Sequence, residues 1–180
     1  MKKKNPLRSV VTIAIIVCAI VLLIRNFIIR DFVVIKRGVL YTSTQPRGME
    51  YTRLLYKYHI ATIVNIRPVS EHLEENWRNE EITWTRINGV NYIEMPIDRK
   101  NYFPDQQTQQ RFIEIMSKKE NLPVLLHGSS DDRRVAMLVA VWLGKNEGYA
   151  SPQVLDVVKK IIADRNLTGE ETDFIHSLAK

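Results

Sequence analysis

The chain has 180 residues and a formal net charge of +6, from 26 basic and 20 acidic side chains. This length suits one domain of ordinary size with a short additional segment. Residues 1–31 hold six of the basic side chains against Asp31 alone, which leaves 20 basic and 19 acidic side chains in residues 32–180. The positive charge therefore belongs to the N-terminal segment, and the composition argues against a nucleic-acid-binding domain.

Residues 10–24 (VVTIAIIVCAIVLLI) are apolar apart from Thr12. This run is shorter than the roughly 20 residues of a membrane-spanning helix. Arg8 and Arg25 at its ends can nevertheless reach the lipid headgroups, and the apolar residues 27–29 lengthen the run. Bulky and charged residues follow, in place of the small-residue cleavage site of a secretory signal peptide. We therefore predict a single-pass membrane anchor at residues 1–31 and a globular domain at residues 32–180.

The orientation of this anchor is predicted from the charges that flank it. Four basic residues precede the run and four follow soon after it, so the count alone is a tie. The cluster of three lysines at residues 2–4, beside the amino terminus, favours an N-terminus inside and a domain outside. Cys18, the one cysteine, lies within the run, so cysteine usage does not indicate the compartment.

Beyond residue 32, strand and helix patterns alternate along the chain. Two short strands at residues 33–35 and 39–42 predict a hairpin that turns at Gly38. Further strands are predicted at residues 61–66, 92–97 and 124–126. Helices are predicted at residues 49–58, 71–87, 104–118, 134–145 and 151–165, and a last helix after a capping box that begins at Thr168. The alternation predicts an α/β fold with a mainly parallel central sheet flanked by helices.

Residues 124–143 (VLLHGSSDDRRVAMLVAVWL) place an apolar strand, a polar loop and an apolar helix in succession. This order resembles the cysteine-dependent tyrosine and dual-specificity phosphatases, whose loop reads His-Cys-x-x-Gly-x-x-Arg-Ser/Thr. Residues 40–68 and 96–116 are similar to the stretches that precede this loop in the compact bacterial branch of that family. The resemblance extends over residues 38–165 and implies a dual-specificity phosphatase-like fold, with a bacterial inner membrane as the location of the anchor.

The resemblance also implies a site. In the family a cysteine attacks phosphorus, an arginine grips two phosphate oxygens, and an aspartate on an earlier loop protonates the leaving group. Asp98 is the candidate for that acid, and Asp105 is a weaker one. No cofactor and no metal are implied. The phosphate-binding loop corresponds to His127, Gly128, Ser129, Ser130, Asp131, Asp132, Arg133 and Arg134.

The loop departs from the family pattern at three positions. Gly128 stands at the nucleophile position, Asp131 at the glycine position and Val135 at the Ser/Thr position. Glycine offers no nucleophile, and a carboxylate at position 131 would repel a phosphate dianion and disfavour the positive φ that glycine permits. Losing the nucleophile removes about 10⁴-fold or more of the rate. These departures predict a catalytically inactive loop.

Several of these residues also have a purely structural interpretation. Asp98 can be a solvated loop aspartate, and His127 is expected to order the loop by hydrogen bonds without transferring protons. Arg134 can bind an anion, but we expect Asp131 or Asp132 to neutralise it. Trp77 and Trp84, seven residues apart on a predicted helix with Leu73, are expected to belong to the core.

Three hypotheses for function remain open. The first is a membrane-anchored pseudophosphatase that binds a partner, either a phosphorylated protein or a phospholipid headgroup. The second is an active phosphoric monoester hydrolase with an atypical loop, or one whose natural cysteine has been replaced. The third is a structural scaffold domain without a ligand. Measurements of turnover separate the first from the second, and titration with phosphate separates the first from the third.

Overall fold

The computed structural model describes residues 6–27, 29–72, 77–129, 133–163 and 165–178. The strands in this part of the chain are β1 (Val33–Lys36), β2 (Leu40–Ser43), β3 (Thr62–Asn65), β4 (Asn91–Glu94) and β5 (Val124–His127). The α-helices are α1 (Pro6–Phe27), α2 (Met49–Tyr56), α3 (Trp77–Asn88), α4 (Gln106–Ser117), α5 (Arg133–Val141), α6 (Ser151–Ile161) and α7 (Gly169–Leu178).

The strands form one sheet in the order β1-β2-β5-β3-β4. Only the β1–β2 pair is antiparallel among the described pairs, and β2, β5, β3 and β4 run parallel to one another. Every residue of β2, β3 and β5 is buried, as expected for parallel strands covered on both faces. The α/β fold with a mainly parallel sheet is therefore confirmed.

The hairpin at the edge of the sheet matches its prediction closely. Strands β1 and β2 pair from Val33–Thr42 to Lys36–Leu40, and Gly38 occupies the turn with φ of 74°. Positive φ is costly for a residue that carries a Cβ, so the position favours glycine. The hairpin places β2 next to β5, and the sheet is continuous from this edge to the strand that carries the candidate loop.

Two helix predictions need correction. The helix predicted at residues 71–87 is a 3₁₀ turn at Val69–His72 and a separate helix, α3; Leu73 and the rest of residues 73–76 lie outside the described residues. The helix expected to open at Pro104 begins at Gln106, because the Asp105 side chain caps it by accepting a hydrogen bond from the Thr108 amide.

Helix α5 is the central helix that its apolar sequence predicts. Every residue from Arg134 to Val141 is buried, and the helix continues into a π-helical turn at Trp142–Asn146. It packs with α6 and α7 in the larger core cluster, which covers one face of the sheet. The smaller cluster contains Tyr51 and Leu125 and includes the half-buried Trp84. Because α5 follows the candidate loop directly, this packing fixes the loop at its C-terminal end.

The N-terminal helix α1 exposes apolar side chains. Its described side chains include Val10, Ile13, Ile15 and Val21, which are between 56% and 64% exposed. Among the residues described, no helix is both long enough and apolar enough to traverse a lipid bilayer. The chain enters the domain immediately afterwards, where Ile29 is buried in the smaller core cluster and Arg30 pairs with Glu50.

Candidate functional site

The candidate site lies where the parallel strands end. Ser43, Asn65 and His127 are the last residues of β2, β3 and β5, and they pair side by side across the sheet. Ligands of open α/β sheets bind at the carboxyl ends of the strands, since the loops after the strands converge there. Gly128 and Ser129, the described residues between β5 and α5, therefore lie at the carboxyl ends of the parallel strands.

The first residues of this loop are buried. Gly128 and Ser129 follow β5 directly, and Ser129 is 8% exposed. Ser130, Asp131 and Asp132 lie outside the described residues, so their predicted roles stay predictions.

Arg134, the predicted loop arginine, lies at the carboxyl ends of these strands. It is 2% exposed, and its Nη1 donates hydrogen bonds to Oε1 of Glu71 at 2.8 Å and to the Ile97 carbonyl at 2.9 Å. Its Nη2 donates to Oγ of Ser129 at 3.2 Å. We expected Asp131 or Asp132 to neutralise this guanidinium; the described carboxylate that does so is Glu71, which the sequence analysis did not single out.

Glu71 lies in the 3₁₀ turn and binds three arginines. Besides Arg134, its carboxylate accepts from Nε of Arg67 at 2.9 Å and lies 3.2 Å from Nε of Arg99. The Glu71 side chain is 9% exposed. Burial alone would raise the pKa of Glu71, but hydrogen bonds from Arg134 and Arg67 outweigh it, so the pKa lies below the ordinary value. Glu71 is therefore an ionised hub of the site at neutral pH.

Arg67, two residues after the end of β3, is one of the arginines that bind Glu71. Its guanidinium stacks on the buried Trp77, 3.9 Å from the ring centroid, and it also donates to Oε1 of Gln45 at 3.4 Å. A planar guanidinium held between an aromatic face and a carboxylate has little freedom to move. Trp77 is thus part of the core, as predicted, and it also orients Arg67.

The predicted acid, Asp98, makes hydrogen bonds within its own loop. Its exposed carboxylate accepts hydrogen bonds from the backbone amides of Lys100 at 2.6 Å and Asn101 at 3.3 Å. These bonds to its own loop lower the pKa of Asp98, since they stabilise the charged form. Such a carboxylate is a poor proton donor at neutral pH. Asp105, the weaker candidate, is occupied as the cap of α4, and its pKa is lowered in the same way.

Arg99, the residue after Asp98, points towards the loop instead. Its Nη2 donates a hydrogen bond to Oγ of Ser129 at 3.0 Å, in addition to its contact with Glu71. The loop that carries Asp98 therefore places the guanidinium of Arg99 beside Ser129, where the family pattern predicts a carboxylic acid.

Arg133 contacts residues in and just before α7. Its guanidinium binds the buried Glu171 and donates to the carbonyl of Asn166 at 3.1 Å. Glu171 also closes the capping box that begins at Thr168, as the sequence predicts. Although we included Arg133 in the phosphate loop, these contacts direct it towards the start of α7.

His127 and Glu81 form a buried polar centre beneath the loop. Nε2 of His127 lies 3.1 Å from Oε1 of Glu81, without the alignment of a hydrogen bond, and both side chains are fully buried. The same Glu81 oxygen accepts hydrogen bonds from Gln45 at 3.1 Å and from the Tyr51 hydroxyl at 3.2 Å. Nδ1 of His127 is 3.5 Å from the Gly128 carbonyl. His127 is therefore a buried residue of this polar centre, and the loop-ordering role predicted for it stays a prediction.

A pocket adjoins Ser129. Its volume is about 320 Å³, and Ser129 and Val135 form part of its wall. Lys160 in the last turn of α6 and Arg165 beyond that helix contribute positive charge, Asp31 contributes a negative charge, and Thr42 and Ser43 line the pocket from β2. The pocket is large enough for a small group attached to an anion bound at the loop.

Sequence reasoning missed Glu71, Arg67 and Arg99 as residues of this site. Arg67 and Glu71 are four residues apart, a spacing that brings opposite charges together in a helical turn, and this signal was available. Arg99 offered no such signal, because the path of its loop decides whether Asp98 or Arg99 faces Ser129.

No protein-family model matches the chain. The fold is similar to those of solved phosphatases. The core catalytic domain of the PP-IP phosphatase Siw14 from S. cerevisiae has a TM-score of 0.67 at 17% identity, over 81% of this chain and 83% of that chain. PTPMT1 in complex with PI(5)P has a TM-score of 0.64 at 14% identity, over 82% and 93%. P. aeruginosa TpbA in complex with phosphotyrosine has a TM-score of 0.57 at 15% identity, over 82% and 88%.

These structures are phosphatases of the tyrosine and dual-specificity type. At this level of sequence identity the likeness defines the fold of the chain. The protein is therefore an α/β protein with a tyrosine/dual-specificity phosphatase fold, and residues 127–134 are the segment in which the sequence resembles the phosphate-binding loop of that class.

Proposed function

We propose that this protein is a membrane-anchored pseudophosphatase, which keeps the phosphatase fold but does not hydrolyse phosphate esters. It acts by binding a phosphate group carried by a partner protein or by a lipid headgroup. The observation that carries the proposal is Gly128 at the nucleophile position, directly after His127 at the end of β5. Without a side chain at this position, the covalent route through a phosphocysteine is closed.

The described partners of Ser129 do not activate it as a nucleophile. Its hydroxyl oxygen accepts hydrogen bonds from Arg99 and Arg134. A serine becomes nucleophilic when a neighbouring base takes its proton, and guanidinium groups carry donors only. The two arginines therefore favour binding of an anion over activation of this hydroxyl.

The orientation of Asp98 supports the same proposal. A phosphatase of this class needs a protonated carboxyl group close to the leaving oxygen. The Asp98 carboxylate instead accepts hydrogen bonds from the amides of Lys100 and Asn101, and these bonds lower its pKa. Gly128 offers no nucleophile, and the hydrogen bonds of Asp98 disfavour its protonated form, so both features support a protein without turnover.

Turnover is the direct test of this proposal. Full-length protein in detergent micelles is expected to release p-nitrophenol from p-nitrophenyl phosphate no faster than a buffer blank, because no group can form a phosphoenzyme. Release is followed by absorbance over a range of protein concentrations. Release that is proportional to protein, survives repurification and disappears in Arg134→Gln would contradict the proposal. Arg111→Gln, an exposed arginine on α4, is the matched control.

Binding of phosphate is measured on the same preparation. A ligand that binds the folded state raises the unfolding temperature as its concentration increases. We expect such a rise with inorganic phosphate and a smaller one with chloride at equal ionic strength. If phosphate has no effect beyond that of chloride, the binding role is wrong and a scaffold domain is the better description.

The membrane anchor has its own test. Full-length protein is expected to sediment with membranes and to stay there in alkaline carbonate, because the apolar side chains of α1 gain by leaving water. Ile16→Asp should shift protein to the supernatant, since a carboxylate in the bilayer centre costs about 3 kcal/mol. Val34→Asp, at an exposed apolar position of β1, is the control. Protein found wholly in the soluble fraction would contradict the anchor, and release by carbonate alone would indicate peripheral attachment.

A further inference from the structure

Arg99 and Arg134 converge on one neutral oxygen. Nη2 of Arg99 is 3.0 Å and Nη2 of Arg134 is 3.2 Å from Oγ of Ser129. Two guanidinium groups that meet at one hydroxyl repel each other, and a neutral oxygen compensates this repulsion poorly. An anionic oxygen at the same place would be a stronger acceptor for both donors.

The two arginines reach this point from independent elements. Arg134 opens the buried helix α5, and its hydrogen bond to the Ile97 carbonyl ties the helix to the loop of Arg99. Ile97 is fixed in turn, because its amide donates to the Ile66 carbonyl at 3.0 Å. The backbone beside Arg99 is thus held by the sheet, while the Arg99 side chain is 62% exposed and can adjust to a ligand.

Glu71 keeps the arginines close together. Its Oε1 contacts both Arg134, at 2.8 Å, and Arg99, at 3.2 Å. This oxygen contacts Nη1 of Arg134 and Nε of Arg99, while the Nη2 atoms of both arginines donate to Ser129. Among the contacts that the structure describes, one carboxylate therefore faces three guanidinium groups, an arrangement that attracts anions.

We propose that Arg99 is a ligand-binding residue of this site and forms, with Arg134, a two-arginine clamp for a phosphate monoester dianion. The inference rests on the proposed function and adds the residue that holds the ligand. The loop arginine is part of the family pattern, whereas Arg99 stands beside the position of the family's acid. A guanidinium at that place strengthens binding of the dianion. Unlike the family's carboxylic acid, it does not protonate the leaving group.

The chemistry of the ligand follows from the geometry of the donors. Each arginine directs its Nη2 donor towards Ser129, and two charged donors from different directions match a group with several equivalent terminal oxygens. A monoester dianion has three such oxygens, and it carries the charge of −2 that two arginines can share. The pocket beside Ser129 and Val135 offers room for the group that the phosphate esterifies.

The test is a calorimetric titration of full-length protein in detergent micelles with three probes. Inorganic phosphate measures the shared chemistry, phosphotyrosine represents a protein source, and glycerol 3-phosphate represents a lipid headgroup. Arg99→Gln is expected to weaken binding of all three about tenfold or more, because it removes charge-assisted hydrogen bonds. Arg99→Lys should recover part of the loss, since lysine keeps the charge without the fork. Arg111→Gln should leave each affinity within about twofold of wild type.

The outcomes separate this inference from the function on which it rests. If Arg99→Gln binds phosphate as wild type does while Arg134→Gln loses binding, the loop arginine acts alone and Arg99 is not a ligand-binding residue. If wild-type protein binds none of the three probes, the proposed function itself is wrong. Arg99→Gln should unfold at the wild-type temperature without ligand, because a side chain this exposed contributes little to stability. A large drop in that temperature would instead assign Arg99 a structural role.

Discussion

Replacing Glu71 with glutamine is expected to lower the free energy of unfolding by about 3–5 kcal/mol. Glu71 is the carboxylate around which Arg67, Arg99 and Arg134 assemble, and the first and last of these are 7% and 2% exposed. The amide keeps an acceptor oxygen but loses the charge, so the two buried guanidinium groups lose a counter-charge. Urea unfolding followed by tryptophan fluorescence measures the change, and Trp77 beside Arg67 should report it directly.

Glu94→Gln is the matched control for this substitution. Glu94 receives two hydrogen bonds from Arg78, as Glu71 does from its partners, but both side chains are about one third exposed. Such a pair contributes about 1 kcal/mol or less, because solvent screens it. Equal losses in Glu71→Gln and Glu94→Gln would contradict the idea that Glu71 is the electrostatic centre of the site.

The pH dependence provides a second check on Glu71. Its pKa in the folded protein lies below the ordinary value of 4.5, so the folded state binds this proton less readily than the unfolded state does. The stability that Glu71 contributes is therefore complete above about pH 4.5 and is lost as the pH falls through the lower, folded value. The difference in stability between wild type and Glu71→Gln should shrink correspondingly on acidification.

The order of strands and helices could be predicted from the sequence because it depends on local patterns. The apolar runs of β3 and β5, the glycine of the β1–β2 turn and the capping box at Thr168 each act within a few residues. The same order predicts where the candidate loop begins, since a strand that is followed by a polar segment and an apolar helix places that segment at the carboxyl ends of the strands.

The partners within the site could not be predicted in this way. Arg134 meets Glu71 across 63 positions of the chain, and Arg99 meets Ser129 across 30. Such pairs depend on how loops from neighbouring strands pack, which no short-range pattern encodes. Glu81 is an intermediate case. It lies four residues after Trp77, and both residues are buried, so helical spacing is consistent with its burial, but no local pattern encodes its contact with His127.

Restoring the family residues to the loop is expected to produce activity in steps. Gly128→Cys alone should remain nearly inactive, because the sequence predicts that the Asp131 carboxylate repels a phosphate dianion, and Val135 cannot stabilise the departing thiolate. Adding Asp131→Gly removes a repulsion of about 4 kcal/mol for charges ~4 Å apart at an effective dielectric of ~20, and it restores a residue that tolerates positive φ. Adding Val135→Ser should raise the rate further, because the hydroxyl can stabilise the departing thiolate.

The acid requirement is the part of this prediction that the structure changes. The family pattern makes Asp98 the proton donor, but its carboxylate is bound to the amides of Lys100 and Asn101 and its pKa is lowered. The triple variant should therefore hydrolyse p-nitrophenyl phosphate, whose leaving group needs no proton, far better than glycerol 3-phosphate. Adding Asp98→Asn should leave the first rate unchanged. A marked fall would show that Asp98 turns inwards when substrate binds, and full activity of Gly128→Cys alone would contradict the role assigned to Asp131.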